Sequence, residues 1–431
     1  MMNVCICTSH PLDGHTGGVD RIISLAKTVS KYGVNVYLVN RSRNRSIFSI
    51  IIDSDKYYQI KNGVVTESNY PLCARLLFPG LTKLAQEILN RLVSVLTLTE
   101  LSEVSVSYLL DPYLIVKLFL VCRREKIDLV QCELPTTGLS SFVVTKSLNI
   151  PLVYDAHNVE TERIGSMENV SGPYIAITKI IEDTVCKISN SIFVVSERDK
   201  TQLVFRGFQE FKMNVIPNSI EVGKFSSSFD GTTIRNKYNL TGKIVLMFHG
   251  PLNYPPNKEA VGILVNSVLP EILAKYPDVR LLIVGSDPPK IFHDKIVVTG
   301  FVKNLSQYIA AADIAVVPLK SGGGTRVKIL EYMASGKAIV STLKGAEGLN
   351  LKNGQDILMT KHPDSKFVDS VLKLIEDSNL RRNMGINAKK KAELFYSWEK
   401  TANKAVKIYN ELVFSFGHQI KKQAIIPSVE K

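Results

Sequence analysis

The 431-residue sequence has no Cys-x-x-Cys pair, no His/Cys cluster at zinc-ligand spacing, and no cysteine beyond position 186. Its six cysteines are Cys5, Cys7, Cys73, Cys122, Cys132 and Cys186. Most stand in apolar surroundings, where a thiol serves as a small hydrophobe. This pattern argues against a disulfide-stapled fold and a structural zinc site, and leads to the expectation of a reducing, cytoplasmic setting. There is no run of the ~18 uncharged apolar residues that a membrane-spanning helix requires. The nearest stretch, Tyr108 to Cys122, is interrupted by Asp111, Pro112 and Lys117. Asn3 to Ser9 is too short for the apolar region of a secretory signal, so none is expected. Short-period repeats are also lacking. The first glycine-bearing loop, Gly14-His-Thr-Gly-Gly18, lacks the GxGxxG spacing of a dinucleotide site, which disfavours a Rossmann oxidoreductase. No stripe of alternating aromatic and basic residues accompanies the positive charge, so nucleic acid is not an expected partner. Lys389-Lys390-Lys391 reads as one solvated helix face.

What is present is an ordinary globular composition, 45% hydrophobic and 22% charged, with enough length for two or three domains. The net charge is +13. Residues 1–215 carry 23 basic against 21 acidic side chains, and the remainder carry 30 against 19. The excess therefore lies in the second half and favours an anionic partner there.

Hydrophobic periodicity divides the chain into two alternating series. Asn3–Ser9 has the pattern of a buried strand, Val19, Ile22, Ile23, Ala26 and Val29 recur at helical spacing before Gly33, and Val34–Val39 is the next strand. Further strands are expected at Ile127–Cys132, Pro151–Asp155, Ile192–Ser196 and Met213–Ile216, with a helix from Leu139 to Ser147. The segment 43–120 is less regular and is expected to hold a hairpin and one or two helices. The alternation restarts after Pro217-Asn218, with strands at Lys243–Phe248, Arg280–Gly285, Ile296–Val298, Asp313–Pro318, Ala338–Ser341 and Ile357–Met359. Helices are expected at about 257–275, 364–377, 379–394 and 399–413, and the polar tail from Gly417 reads as frayed. Two successive doubly wound α/β units follow from this, joined near Ile216 to Lys224.

Ligands of open parallel sheets gather at the carboxyl ends of the strands. In the second unit that position holds Val317-Pro-Leu-Lys-Ser-Gly-Gly-Gly-Thr-Arg-Val-Lys-Ile-Leu-Glu331, in which a strand ends, three glycines follow and a helix starts. The free N–H groups near Gly324 to Val327 and the helix dipole make an anion site. Arg326 and Lys328 place two cations in a first turn that ordinarily favours acidic residues, which points to a phosphate ligand. Glu331, farther along the helix, suits a vicinal diol such as ribose.

This segment resembles the donor-site motif of GT-B-fold glycosyltransferases of family 4, in the subgroup with a Gly-x-Gly-Thr-Arg-x-Lys-x-Leu-Glu signature. Other stretches match in order: Gly17-Gly18, Asp155-Ala-His-Asn-Val-Glu160, Val194-Val-Ser-Glu197, Val215-Ile-Pro-Asn218, Phe248-His-Gly250 with Pro256-Asn257, Leu282-Ile-Val-Gly285, Val298-Thr-Gly-Phe301, and Ser341-Thr342 with Gly345-Ala-Glu-Gly-Leu349. Many members carry two glutamates eight positions apart. Glu331 matches the second, and Gly323 stands where the first would fall.

The resemblance implies two Rossmann-like domains facing across a cleft. Residues 1–216 would bind the acceptor and 217–398 the nucleotide-sugar donor, while 399–431 would form a helix crossing back to the first domain plus a polar tail. It implies a retaining glycosyltransferase that moves a sugar from a nucleoside diphosphate sugar, a co-substrate, to a glycan or lipid-linked acceptor. No cofactor or metal is expected. Donor contacts would come from Gly17, Gly18, Gly250, Lys258, Gly323, Gly324, Thr325, Arg326, Val327, Lys328 and Glu331. His157, Arg326 and Lys328 would be catalytic, with Glu133 and Asp155 as weaker acceptor-side candidates. As negative charge grows on the departing diphosphate, Arg326, Lys328, the helix start and the Gly17-Gly18 turn would stabilise it. The acceptor would attack on the same face, assisted by the departing phosphate. The apolar and basic stretches within 76–122 (Leu76–Phe78, Leu92–Leu98, and Leu114–Val121 before Arg123-Arg124) are suited to an anionic membrane surface on the cytosolic side. Two rivals are a nucleotide-sugar epimerase of the same fold and a non-catalytic nucleotide-sugar binding protein.

Overall fold

The computed structural model describes residues 1–9, 17–40, 56–69, 110–165, 170–225, 230–322 and 326–424. It divides into two compact units. One comprises Met1–Ile216 with Thr401–Lys431, and the other Pro217–Lys400.

The first unit is built on β1 (Met2–Thr8), β2 (Val34–Asn40), β3 (Lys56–Lys61), β4 (Val64–Asn69), β5 (Leu129–Glu133), β6 (Leu152–Ala156), β7 (Ser191–Val194) and β8 (Met213–Val215). Their order in the sheet is β4-β3-β2-β1-β5-β6-β7-β8. The six strands β2, β1, β5, β6, β7 and β8 are parallel, and β3 and β4 add an antiparallel hairpin at one edge. This is the hairpin expected in 43–120. Asn62-Gly63 closes it with φ of 50° and 80°, the positive angles that a two-residue turn demands. Helices α1 (Gly17–Ser30), α2 (Pro112–Arg124), α3 (Gly138–Leu148), α4 (Glu160–Gly165), α5 (Gly172–Ile188) and α6 (Glu197–Phe205) connect the strands. Strands β5, β6 and β7 are buried along their whole length, as parallel strands covered on both faces must be. Leu114, Leu118 and Val121 of α2 lie inside this core. The stretches at 76–78 and 92–98 lie outside the described residues. Among the described residues no helix is long and apolar enough to cross a membrane.

The second unit contains α7 (Thr232–Lys237), β9 (Val245–His249), α8 (Pro255–Ile263), α9 (Leu269–Lys275), β10 (Arg280–Val284), β11 (Ile296–Val298), α10 (Leu305–Ala311), β12 (Ile314–Val317), α11 (Val327–Ala334), β13 (Ala338–Thr342), β14 (Leu358–Thr360), α12 (Ser365–Glu376) and α13 (Ser378–Phe395). The sheet order is β11-β10-β9-β12-β13-β14, with every pairing parallel. The helix expected over 257–275 is continuous in path but widens at Leu264–Val268. Pro270, just beyond, cannot donate to the preceding turn, and a wider turn accommodates it.

Helix α14 (Trp398–Ala424) starts in the second unit and belongs to the first from Thr401 onward. Thr401, Ala402, Ala405, Ile408 and Tyr409 form its buried stripe at helical spacing. The helix continues through Gly417 to Ala424, past the point where composition suggests fraying.

Glycine is required where backbones meet most closely. Gly385 lies inside α13, where alanine would ordinarily be favoured by about 1 kcal/mol. A Cβ there would sit 2.1 Å from the Gly336 carbonyl oxygen. Overpacking outweighs propensity, so Gly385→Ala is expected to lose at least ~2 kcal/mol in urea unfolding.

Candidate active site

In the second sheet β9 and β12 are neighbours at the point where the strand order reverses, the place where such sheets take ligands. Strand β9 ends at His249, and Gly250 follows with φ +146°. A Cβ on Gly250 would lie 2.8 Å from Asn257 Nδ2 and 3.1 Å from Lys328 Nζ. Gly285, after β10, would bring a Cβ within 1.8 Å of the Gly250 carbonyl oxygen. Two bare peptide segments therefore pass each other directly beside a lysine.

Lys328 Nζ donates to Asn257 Oδ1 at 2.7 Å and lies 4.1 Å from the centroid of the Phe248 ring. The side chain is half-buried, yet protein surrounds its ammonium, and burial together with the Arg326 charge pulls its pKa down to about 7. Arg326 stands at the N-cap of α11 and is buried at 8% exposure. It donates to the Ser321 carbonyl at 3.2 Å and packs against Gly322, where a Cβ would meet its Nη1 at 2.9 Å. Burial lowers the pKa of its guanidinium. Neither cation is turned into bulk water.

Glu331, one turn beyond Lys328, is held by His249, whose Nε2 lies 2.6 Å from Glu331 Oε2. The other ring nitrogen, Nδ1, is 2.7 Å from the Tyr332 hydroxyl. A carboxylate only accepts, so Nε2 carries a proton toward Glu331.

The first sheet makes a second cluster at its own strand ends. Glu133 closes β5 and Asp155 lies in β6, with His157 two residues on. His157 Nε2 is 2.5 Å from Glu133 Oε2. Gln131 Nε2 donates to Glu133 Oε1 at 2.6 Å, and the Tyr409 hydroxyl of α14 donates to Gln131 Oε1. Arg21 of α1 forms a buried ion pair with Asp155 at 2.9 Å and also donates to the Ile216 carbonyl. Burial and the neighbouring Asp155 raise the Glu133 pKa, opposed by His157 and Gln131. Ligand atoms of Glu133, Asp155 and His157 lie within 4.8 Å of one another, but the Arg21 guanidinium already occupies the cationic position at Asp155. These residues fit an internally neutralised cluster better than a metal centre. One Asp-x-Asp triplet, Asp53-Ser54-Asp55, stands in the sequence, outside the described residues.

Of the sequence-derived candidates, Gly250, Arg326, Lys328 and Glu331 come together in the second unit, with Val327 opening α11. Glu133, Asp155 and His157 come together in the first. Gly17 and Gly18 begin α1. Gly323, Gly324 and Thr325 lie outside the described residues. Lys258 is exposed on α8, whereas its neighbour Asn257 is buried and takes the Lys328 hydrogen bond. Periodicity could have found this, since adjacent helical residues point about 100° apart. Asn257, His249, Gln131 and Tyr409 are the residues that sequence reasoning did not single out for these roles.

Comparison with known proteins bears on the same strand ends. The model for "Glycosyl transferases group 1" matches residues 243–377, which contain the whole Lys328 cluster. The model for "Glycosyltransferase Family 4" matches residues 93–224, which contain Glu133, Asp155 and His157. Together they span more than half of the chain. The chain belongs to the group 1, family 4 glycosyltransferases. Among the relatives of this glycosyltransferase are an uncharacterized glycosyltransferase of Methanocaldococcus jannaschii, 26% identical over 54% of this chain and 62% of that protein, and the D-inositol 3-phosphate glycosyltransferase of Corynebacterium jeikeium, 23% identical over 70% and 77%. The aligned regions thus span between about three-fifths and three-quarters of these relatives. Anabaena HepE, crystallised with UDP, shares the GT-B fold with a TM-score of 0.66 at 15% identity, covering 96% of this chain and 100% of that one.

The depressed Lys328 pKa makes a stability statement. In the unfolded chain this lysine titrates near ~10.4, so between about pH 7 and 10 the unfolded state holds a proton that the folded state has released. Stability contributed through Lys328 therefore rises with pH across that window. Urea unfolding at pH 7 and 9 is expected to show a smaller rise for Lys328→Met than for the parent.

Proposed function

We propose that this glycosyltransferase moves a sugar from a nucleoside diphosphate sugar to a glycan or lipid-linked acceptor, with retained anomeric configuration and without a metal, in a reducing compartment. The observation that carries this reading is the Lys328–Arg326 pair. Two cations two residues apart are desolvated, Lys328 beside Gly250 and Arg326 beside Gly322, and the ammonium is hydrogen-bonded to the neutral Asn257. A diphosphate places negative charge beside the Lys328 ammonium, and more of it as the glycosidic bond breaks. The UDP and UDP-glucose complexes of HepE support this assignment of the donor class. Glu331, oriented by His249, receives the ribose hydroxyls. In the first unit, His157 is the hydrogen-bonding group for the donor sugar and acceptor, with Glu133 and Asp155 behind it.

In the reaction, the bond between C1 and the diphosphate oxygen breaks, and the nucleoside diphosphate leaves with the electron pair. The acceptor oxygen bonds to C1 on the same face, and its proton passes to a phosphate oxygen. Arg326 and Lys328 stabilise the leaving group without supplying a proton themselves.

The test is release of nucleoside diphosphate from a panel of UDP-, GDP- and ADP-sugars, with and without glycan acceptors. Turnover of at least one donor is expected. Arg326→Ala and His157→Ala are each expected to reduce it by about 100-fold or more, with the folded state preserved in circular dichroism. Epimerisation without any acceptor, or binding without turnover of any donor, would defeat the proposal.

A further inference from the structure

Helix α14 delivers one polar side chain into the first unit's cluster, and the chemistry of that contact is directional. Glu133 and Asp155 accept hydrogen bonds only, so the Gln131 amide must present Nε2 to them, at 2.6 Å and 3.4 Å. Its carbonyl oxygen is thereby turned toward α14, where the Tyr409 hydroxyl donates to it. Burial pushes the Tyr409 phenol well up, which keeps it a donor. Phe193 stacks on the Tyr409 ring at 5.7 Å and fixes its plane. The result is a chain that converges on Glu133: the Tyr409 hydroxyl donates to the Gln131 oxygen, the Gln131 amide donates to Glu133 Oε1, and His157 Nε2 donates to Glu133 Oε2.

We infer that Gln131 and Tyr409 are positioning residues that keep Glu133 ionised and aimed at His157, so that the C-terminal helix sets the protonation and orientation of the imidazole. This rests on the reading that His157 serves the donor sugar and acceptor. The charged neighbours leave Glu133 dependent on such help. Asp155 of β6 opposes its ionisation, and Arg21 of α1 is bound to Asp155. The adjacent thiols are uncharged, because burial pushes Cys7 up to about 12 and Cys132 well up. Gln131 and His157 therefore provide the hydrogen bonds that favour the Glu133 anion. Removing the Gln131 donor disfavours that anion and thereby weakens the partner that stabilises a protonated His157.

The experiment is a pH titration of the histidine ring resonances in the full chain labelled with ¹³C-histidine. The chain has seven histidines, and His157 is assigned by the signal lost in His157→Asn. In Gln131→Leu the His157 midpoint is expected to fall by about half a pH unit or more. In the near-isosteric Tyr409→Phe it falls in the same direction by less. The His249 midpoint stays in place in both. If Gln131→Leu does not fold, Tyr409→Phe decides. A His157 midpoint unmoved in a folded variant overturns the inference even where His157→Ala abolishes turnover. A midpoint that moves, together with full turnover in His157→Ala, overturns the reading of His157 and with it any service to the reaction.

Discussion

Two like charges held out of water beside each other dominate the second unit. Arg326 and Lys328 lie two residues apart, so their repulsion and desolvation act together. Burial lowers the pKa of both, and the Arg326 charge adds to the shift at Lys328. Neutral groups touch the two cations, among them the Asn257 amide, the face of Phe248 and the Ser321 carbonyl, while the Glu347 and Glu331 carboxylates act on Arg326 and Lys328 from farther away. A structural ion pair would have placed a carboxylate on the lysine. An anion placed beside the Lys328 ammonium would relieve its repulsion from Arg326 while forming its own contacts. Glu331 is close enough to raise the Lys328 pKa, but its hydrogen bond goes to His249 instead.

Parallel topology explains why each unit concentrates its chemistry at one end. Every parallel strand delivers its last residue to the same side of the sheet. His249 of β9, Glu133 of β5 and Asp155 near the end of β6 are therefore placed by register alone. In the second unit the chain passes from β9 to its neighbour β10 through α8 and α9, and from β12 to β13, on the other side of β9, through α11. The point where the order reverses receives α11 by its N-terminus. In the first unit β1 and β5 meet in the same way, and α1 brings Arg21 to the carboxyl ends.

Much of this could be read from residue order, because the cues were local. Strands with continuous apolar runs, the glycines before α11 and the cations in its first turn are all contained within a few tens of residues. Helix α5 was not legible. It is rich in Ile, Thr and Val, which a periodicity argument reads as strand-like, and only packing of Ile181 and Val185 into the core resolves the ambiguity. The partners within the clusters were harder still. His249 and Glu331 are 82 positions apart, and Gln131 and Tyr409 are 278 apart. No spacing rule reaches across those distances. Lys258 against Asn257 shows the opposite case, in which neighbours in the chain differ only by helical phase, and a single residue step of about 100° separates solvent from interior.

The Arg21 guanidinium has a further consequence. Besides Asp155 it grips the backbone oxygen of Ile216, the last residue before the chain leaves the first unit. Asp155, one of the two carboxylates of the imidazole cluster, is thereby linked through Arg21 to the residue at which the first unit ends. Neutralising Asp155 removes one partner of the guanidinium that holds the Ile216 carbonyl, as well as altering local charge. Kinetic defects in such variants consequently combine chemistry with linkage, and the carboxylate's own share emerges only after the anchoring has been restored by other means.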